Sequence, residues 1–248
     1  MSKDAQLKLN GFNLMATKND TLFHEDVSLT INAGDNFLIY GPSGSGKTTI
    51  YEALSFLTPP TQGEVYWGDT KIDSISIANK LRNDHISLIF SNFNFIGHLN
   101  VEDNIILPAA ASNKKGIYDR LETLMNVFEF DDTAHEQENR LSLRDLIYDK
   151  KTLRKRRIQE LSNGQKEIVS MARALILDTP FILADEMLRS FPDHTKKVLW
   201  ERFYSFTSGG DNPKGLMMIT HWDPMLTLIP NPHILRIENQ FLTYERGE

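Results

Sequence analysis

The stretch Gly41-Pro42-Ser43-Gly44-Ser45-Gly46-Lys47-Thr48-Thr49 carries the spacing Gly-x-x-x-x-Gly-Lys-Thr. That spacing is a phosphate-cradling loop. Glycines at 41, 44 and 46 let backbone N–H groups turn inward toward an anion. Lys47 is placed to reach β- and γ-phosphates, and the Thr48 hydroxyl to hold Mg²⁺. Ser43, Ser45 and Thr49 complete the candidate phosphate-binding set. The motif carries this meaning only between a strand and a helix. The apolar run 36–40 supplies the strand, and 49–56 reads as the helix whose N-terminus faces the negative charge.

A second cluster of chemistry lies downstream. Asp185 and Glu186 close the apolar run Phe181-Ile182-Leu183-Ala184. An Asp at a strand's carboxyl end is placed to hold Mg²⁺, directly or through water. The adjacent Glu186 can orient and deprotonate an attacking water. Two ordinary strand-end carboxylates would look the same in isolation; the upstream loop favours the functional reading. His221 ends another apolar run, 216–220. It is either a polar boundary residue or a group that reaches the γ-phosphate or polarises Glu186 and the water.

The elements that must position these groups follow from periodicity. Leu7-Lys8-Leu9 and Val27-Ser28-Leu29-Thr30-Ile31 alternate and read as half-exposed strands. Residues 64–67 and 86–90 read as further strands, and Thr58-Pro59-Pro60-Thr61-Gln62-Gly63 as a strong turn. From about Val101 the pattern becomes helical, with Tyr118, Leu121, Leu124, Met125 and Phe128 spaced for one apolar face. Residues 166–177 and 193–206 read as helices. Residues 234–238 and 241–244 read as a closing hairpin around Asn239-Gln240. Strands alternating with helices, interrupted by a helix-only block near 101–178, predict a parallel α/β core carrying a helical lobe.

Composition sets the bounds. The 248 residues suit one large domain or a domain with a lobe, and 40% hydrophobic with 24% charged residues suits an ordinary globule. A net charge of −6 argues against sequence-independent nucleic-acid binding. No cysteine is present, so disulfides and thiolate metal sites are excluded. The polar start Met1-Ser2-Lys3-Asp4 shows no signal peptide, and no apolar run approaches a spanning helix. The expected location is cytoplasmic, with any membrane role coming through a partner.

Leu161-Ser162-Asn163-Gly164-Gln165 resembles the signature Leu-Ser-Gly-Gly-Gln of ATP-binding cassette (ABC) transporter ATPases. It falls between the phosphate loop and the Asp-Glu strand and opens a helix. Together with the strand-end His221, it makes the chain similar to that family over nearly its whole length. The resemblance implies an α/β fold: a P-loop NTPase core with a parallel-sheet centre, an antiparallel β subdomain and a helical subdomain. It implies one domain over 1–248, with 1–90 and 179–248 forming the core plus β subdomain. About 91–178 would hold the loop after the 86–90 strand, a helical subdomain with an insertion near 131–159, and the signature helix. The implied cofactors are ATP and Mg²⁺. Lys47, Glu186 and His221 would be catalytic, and Thr48, Asp185 and Ser91 would serve the metal. Ser162, Asn163, Gly164 and Gln165 would clasp the γ-phosphate of ATP held by a second copy, so nucleotide would glue a homodimer that opens on hydrolysis. Integral-membrane permease subunits are the other implied partner, with the chain held peripherally on the cytoplasmic membrane face. Residues 90–107, with Asn92-Phe93-Asn94-Phe95 and His98-Leu99, look most like the lipoprotein-releasing, macrolide-exporter and cell-division ATPases.

Departures from the pattern are specific. Ser91 stands where the family has a Gln that assists Mg²⁺ and meets the membrane subunit. Asn163 replaces a Gly, and Asn can adopt left-handed backbone angles. Met187-Leu188 replace Pro-Thr, and the next expected Asp falls on Pro192, with Asp193 one place late. No adenine-stacking aromatic lies near residues 15–18; Phe12 and Phe23 are the nearest candidates. The segment between Phe130 and Leu161 is longer than expected. These changes touch dimer communication more than phosphate chemistry, which predicts a real ATPase that is slow or partner-dependent.

Two features keep two readings. The run 150–157 has six basic residues in eight; it is a solvated face, or a contact for anionic headgroups or an acidic partner. Phe93, Phe95 and Ile96 are core residues or a docking surface for the membrane subunit. A regulatory or scaffold subunit that binds nucleotide with little turnover is the rival function. A soluble DNA-repair or translation protein of the same family is disfavoured by one cassette, no cysteines and an acidic balance.

Overall fold

The computed structural model describes residues 6–13, 15–17, 20–21, 27–57, 62–131, 140–149, 152, 155–210, 212–222, 224–239 and 241–245, with backbone alone at 12–13, 15–17, 20–21, 27, 62, 130–131 and 140–141. In chain order the first elements are β1 (Gln6–Asn13), β2 (Met15–Thr17), β3 (Asp20–Thr21), β4 (Val27–Asn32), β5 (Asn36–Tyr40) and α1 (Lys47–Leu54). β6 (Gln62–Trp67), β7 (Thr70–Lys71), α2 (Ile75–His85) and β8 (Ile86–Ile89) follow. Next come α3 (Val101–Ala111), α4 (Ile117–Val127), β9 (Glu129–Asp131), β10 (Arg140–Ser142), α5 (Leu143–Ile147) and α6 (Asn163–Leu175). The chain continues through β11 (Phe181–Asp185), α7 (Asp193–Ser208), β12 (Gly215–Ile219), α8 (Met225–Leu228), β13 (His233–Glu238) and β14 (Phe241–Glu245).

Two compact units result. The first comprises residues 1–88, 179–186 and 210–248; the second comprises 89–178 and 187–209.

The first unit is built on a six-stranded sheet of order β14-β13-β5-β12-β11-β8. β5, β11, β12 and β13 run parallel, and β14 returns antiparallel to β13 as the expected closing hairpin. All five residues of β11 and of β12 are buried, as is the centre of β5. Strands covered on both faces read as unbroken apolar runs, which is why these three stood out in the sequence. α1 turns Ile50, Tyr51, Ala53 and Leu54 inward. Each such large side chain contributes roughly 1.5–3 kcal/mol on burial. A smaller antiparallel sheet, β4-β1-β6-β7, carries the alternating strands. The register sets the chemistry: Ile39 of β5 pairs with Ile219 of β12, which pairs with Asp185 of β11. The carboxyl ends of three parallel strands are therefore level, the place where open α/β sheets bind ligands.

The second unit packs α3, α4, α5, α6 and α7 around Ile105, Leu124, Phe128, Ile147, Ile168, Met171 and Trp200, all buried. α3 opens under the Asn100 side chain, which accepts from Asp103 N at 2.8 Å. Three sequence expectations change here. Tyr118 is 66% exposed, so the apolar face of α4 starts at Leu121. The 101–178 block is not all helix: β9 and β10 pair antiparallel, where short polar-apolar alternations favour a ribbon. In the first unit, α2 falls where the sequence predicts no helix, because only Ala78 of it is buried and it lacks an apolar stripe.

Of the basic run, Lys150, Lys151 and Arg154 lie outside the described residues. Lys155 and Arg156 are tied down within the chain. Lys155 Nζ reaches buried Glu102 Oε1 at 2.8 Å, and Tyr148 OH reaches its other oxygen at 2.8 Å. Arg156 donates to the carbonyls of Asp145 and Glu160, each at 3.3 Å. Phe23 and the turn residues 58–61 also lie outside the description, as does the side chain of Phe12.

Candidate functional site

In the first unit, Lys47, Thr48, Asp185, Glu186 and His221 line one cavity of about 420 Å³, together with the glycine loop. Local structure explains how each arrives. β5 ends at Tyr40, and α1 begins at Lys47 under Gly46, whose φ of 98° is the left-handed region that favours glycine. No side chain caps that helix N-terminus, so its first N–H groups are left for an anion. A Cβ on Gly44 would meet nothing within 4 Å, whereas a Cβ on Gly41 would fall 2.7 Å from Ser45 Oγ and from Ile237 O. The Ser45 hydroxyl is buried without a hydrogen-bond partner among the described residues.

Lys47 is buried, and its ammonium donates to Gly41 O at 2.8 Å and Pro42 O at 2.7 Å. Burial holds its pKa below the ordinary lysine value, while the carboxylates of Glu186 and Asp185 push the other way. A nearby anion would favour the charged form. Uncapped helix N–H groups, an orphan hydroxyl and a buried lysine make a donor set that fits a polyphosphate. Thr48 and Asp185 on the same wall offer oxygen ligands suited to Mg²⁺.

Glu186 leaves β11 with φ 51°, a left-handed conformation that costs free energy in a non-glycine residue. Its backbone N–H donates to Ile219 O at 3.0 Å, so the turn is tied to β12. Beyond β12, His221 presents Nε2 to Glu186 Oε1 at 3.1 Å. A carboxylate oriented by an imidazole beside a phosphate cradle has the parts for activating water.

The remaining candidates lie in the second unit. Ser162 caps α6 in a reciprocal box: its Oγ accepts from Gln165 N at 3.3 Å, and Gln165 Oε1 accepts from Ser162 N at 3.0 Å. Asn163 is the first residue of α6 and is absent from the left-handed set, so the expected left-handed tolerance is not used. A helix N1 position accepts ordinary residues. Gly164 serves packing: a Cβ there would come within 3.0 Å of the Phe191 ring. Ser91 is half-buried, and its carbonyl accepts from Arg189 Nη2 at 2.6 Å. Pro192 is the N-cap of α7 and makes no side-chain cap, while Asp193 bonds Lys196 at 3.2 Å. Phe93 and Phe95 stack at 5.7 Å, and Ile96 is 37% exposed. Arg173, Arg189 and Glu167 were not singled out from the sequence. Single charged residues outside any motif carry no spacing signal.

Comparison with known proteins agrees with this geometry. The sequence profile of the ABC transporter family matches residues 24–189. The methionine import ATP-binding protein MetN 4 of Oceanobacillus iheyensis is 31% identical over 71% of this chain and 46% of its own length. The macrolide export ATP-binding/permease protein MacB of Shewanella oneidensis is 30% identical over 79% of this chain and 27% of its own. The chain thus spans less than half the length of these two relatives. The dimeric structure of the bacterial ABC transporter cassette MJ0796 superposes with a TM-score of 0.77 at 23% identity, covering 97% of this chain and 98% of that one. The fold is that of an ABC ATPase cassette, and with more than half of its length matched the chain belongs to the ABC transporter family, as an ATP-binding domain.

Proposed function

We propose that the chain binds and hydrolyses ATP with Mg²⁺ as the motor subunit of a transporter. The observation that carries this is the Glu186–His221 pair, 3.1 Å apart on the wall of the phosphate-loop cavity. In this reading Lys47 and the loop from Gly41 to Thr49 hold the phosphates. Thr48 and Asp185 hold Mg²⁺, with Ser91 contributing through water. Glu186 deprotonates the attacking water, and His221 keeps that carboxylate oriented.

Two copies close around ATP, each offering the Ser162 hydroxyl and the first N–H groups of α6 to the partner's γ-phosphate. The dimeric state of the MJ0796 cassette supports this arrangement. The whole chain acts as one cassette, its core and β subdomain drawn from 1–90 and 179–248 and its helical part from 91–178, with residues 187–209 clustering with the helical part. It sits peripherally on the cytoplasmic face of the membrane through permease subunits that meet residues 91–99, where Ile96 is exposed. The relatives are named for import in one case and export in another. The resemblance of residues 90–107 favours outward or mechanical work on a lipoprotein, peptide or other periplasmic-side substrate.

A second reading, a nucleotide-gated regulatory subunit with little turnover, draws on Ser91 and on Pro192, which supplies no side-chain cap. Single-turnover hydrolysis separates the two. Phosphate release well above that of Glu186→Gln supports the motor; equal rates with intact nucleotide binding support the regulator.

A further inference from the structure

The loop 91–99 in the second unit is held by side chains bonding its backbone. Phe93 and Asn94 have φ of 63° and 49°. Two adjacent non-glycine residues in that region persist only when their surroundings fix them. Arg173 of α6 donates to Asn94 O at 3.1 Å and to Phe93 O, with its guanidinium 4.6 Å from the Phe95 ring centre. Asn104 of α3 accepts from Ile96 N at 2.8 Å and donates to Ile96 O at 3.1 Å. Gln159, just ahead of the Ser162 cap, donates to Gly97 O at 2.6 Å. The first carbonyl, Ser91 O, takes its donor from Arg189 Nη2 at 2.6 Å.

Arg189 differs from the other holders in its place along the chain. Arg173 and Asn104 project from the end turns of helices, whereas Arg189 lies three residues beyond Glu186, in the short turn before α7. That turn is gripped by α6. Buried Glu167 accepts from both Ser190 N at 3.0 Å and Ser190 Oγ at 2.7 Å through one oxygen. The Phe191 ring packs against the bare Cα of Gly164, the fourth residue of the stretch 161–165. One turn therefore touches the start of α6 on one side and the first carbonyl of the loop on the other.

The geometry points to Arg189 as a positioning residue that transmits the nucleotide state of the Glu186 strand end to the loop 91–97. This rests on the reading of the chain as nucleotide-driven. When nucleotide shifts the residues after Glu186, Arg189 shifts with them and carries Ser91. The loop then presents Phe93, Phe95 and Ile96 in a nucleotide-dependent pose.

Amide hydrogen exchange of the full-length protein tests this, following the peptide 91–99 with and without ATP and Mg²⁺. Arg189→Ala should speed its exchange about tenfold or more without nucleotide, the effect of losing one charge-assisted bond. It should also abolish the change that nucleotide causes in the unaltered protein. Binding of a fluorescent ATP analogue should stay within about twofold, because Arg189 does not line the phosphate cavity. Arg189→Lys, which can still donate to one carbonyl, should keep the response. Unchanged basal exchange in Arg189→Ala, or a nucleotide response that survives it, overturns the proposal. No nucleotide binding by the unaltered protein would instead overturn the ATPase reading and the transmission with it, while basal exchange still tests the Arg189–Ser91 tie.

Discussion

The imidazole of His221 stands 3.1 Å from Glu186, and both are fixed by the same pair of strands. Glu186 N–H bonds Ile219 O of β12 at 3.0 Å, and His221 follows that strand by two residues. Glu186→Gln keeps an acceptor for His221 but cannot take a proton. Turnover should fall by roughly 10²–10⁴-fold with nucleotide binding preserved. His221→Ala leaves the carboxylate but removes its orientation, and should cost about 10²-fold in kcat. Steady-state phosphate release measures both; a His221→Ala rate equal to the unaltered protein's would discard the orienting role.

Lys47 bonds two carbonyls of its own loop through a buried ammonium. A triphosphate offers that ammonium a stronger, anionic acceptor. Thermal melts with ATP and Mg²⁺ at a hundred times the Kd should show about 2.7 kcal/mol of stabilisation for the unaltered protein and almost none for Lys47→Met. Equal shifts would place the nucleotide elsewhere.

Gly164 is bare because Phe191 occupies the space a side chain would need. Gly164→Ala should destabilise by about 1–3 kcal/mol in urea unfolding. Phe191→Leu made in the same chain should recover part of that loss, since both changes act on one contact. Strictly additive effects would rule the contact out as the cause.

Glu167 is buried with one oxygen unpartnered among the described residues, and burial raises its pKa above the usual carboxylate value. The bonds from Ser190 and the charges of Arg189 and Lys196 oppose that rise without reversing it. A carboxyl whose folded pKa exceeds its unfolded value lends stability below the unfolded pKa and loses it as pH climbs through the folded one. Glu167→Gln keeps the acceptor for Ser190 and does not ionise. Its melting temperature should therefore exceed that of the unaltered protein at neutral pH, with the difference shrinking as pH falls toward 4.5. A difference independent of pH would refute the buried-acid account.

The sequence exposed the parts of the fold whose physics is local. β5, β11 and β12 are apolar end to end because both faces are covered, and the residues that close them carry the polar chemistry. The glycine loop was legible because its backbone angles and close approaches admit few residue types. Contacts set by tertiary packing were not legible. Nothing in Met187-Leu188-Arg189-Ser190 predicts that Arg189 reaches a carbonyl ninety-eight positions away. The basic run looked uniform, yet Lys155 is the partner of buried Glu102 and Arg156 a donor to two carbonyls. Tyr118 fits a helical period and still faces solvent, because period alone does not say where an apolar stripe begins.

The reciprocal box at the head of α6 separates two jobs that usually fall together. Ser162 uses its oxygen to accept from Gln165 N, and its hydroxyl hydrogen stays available to a visiting oxyanion. An aspartate there would cap the helix equally well while repelling that visitor. If Ser162 meets a γ-phosphate as proposed, Ser162→Asp silences that contact electrostatically without loosening the scaffold beneath it.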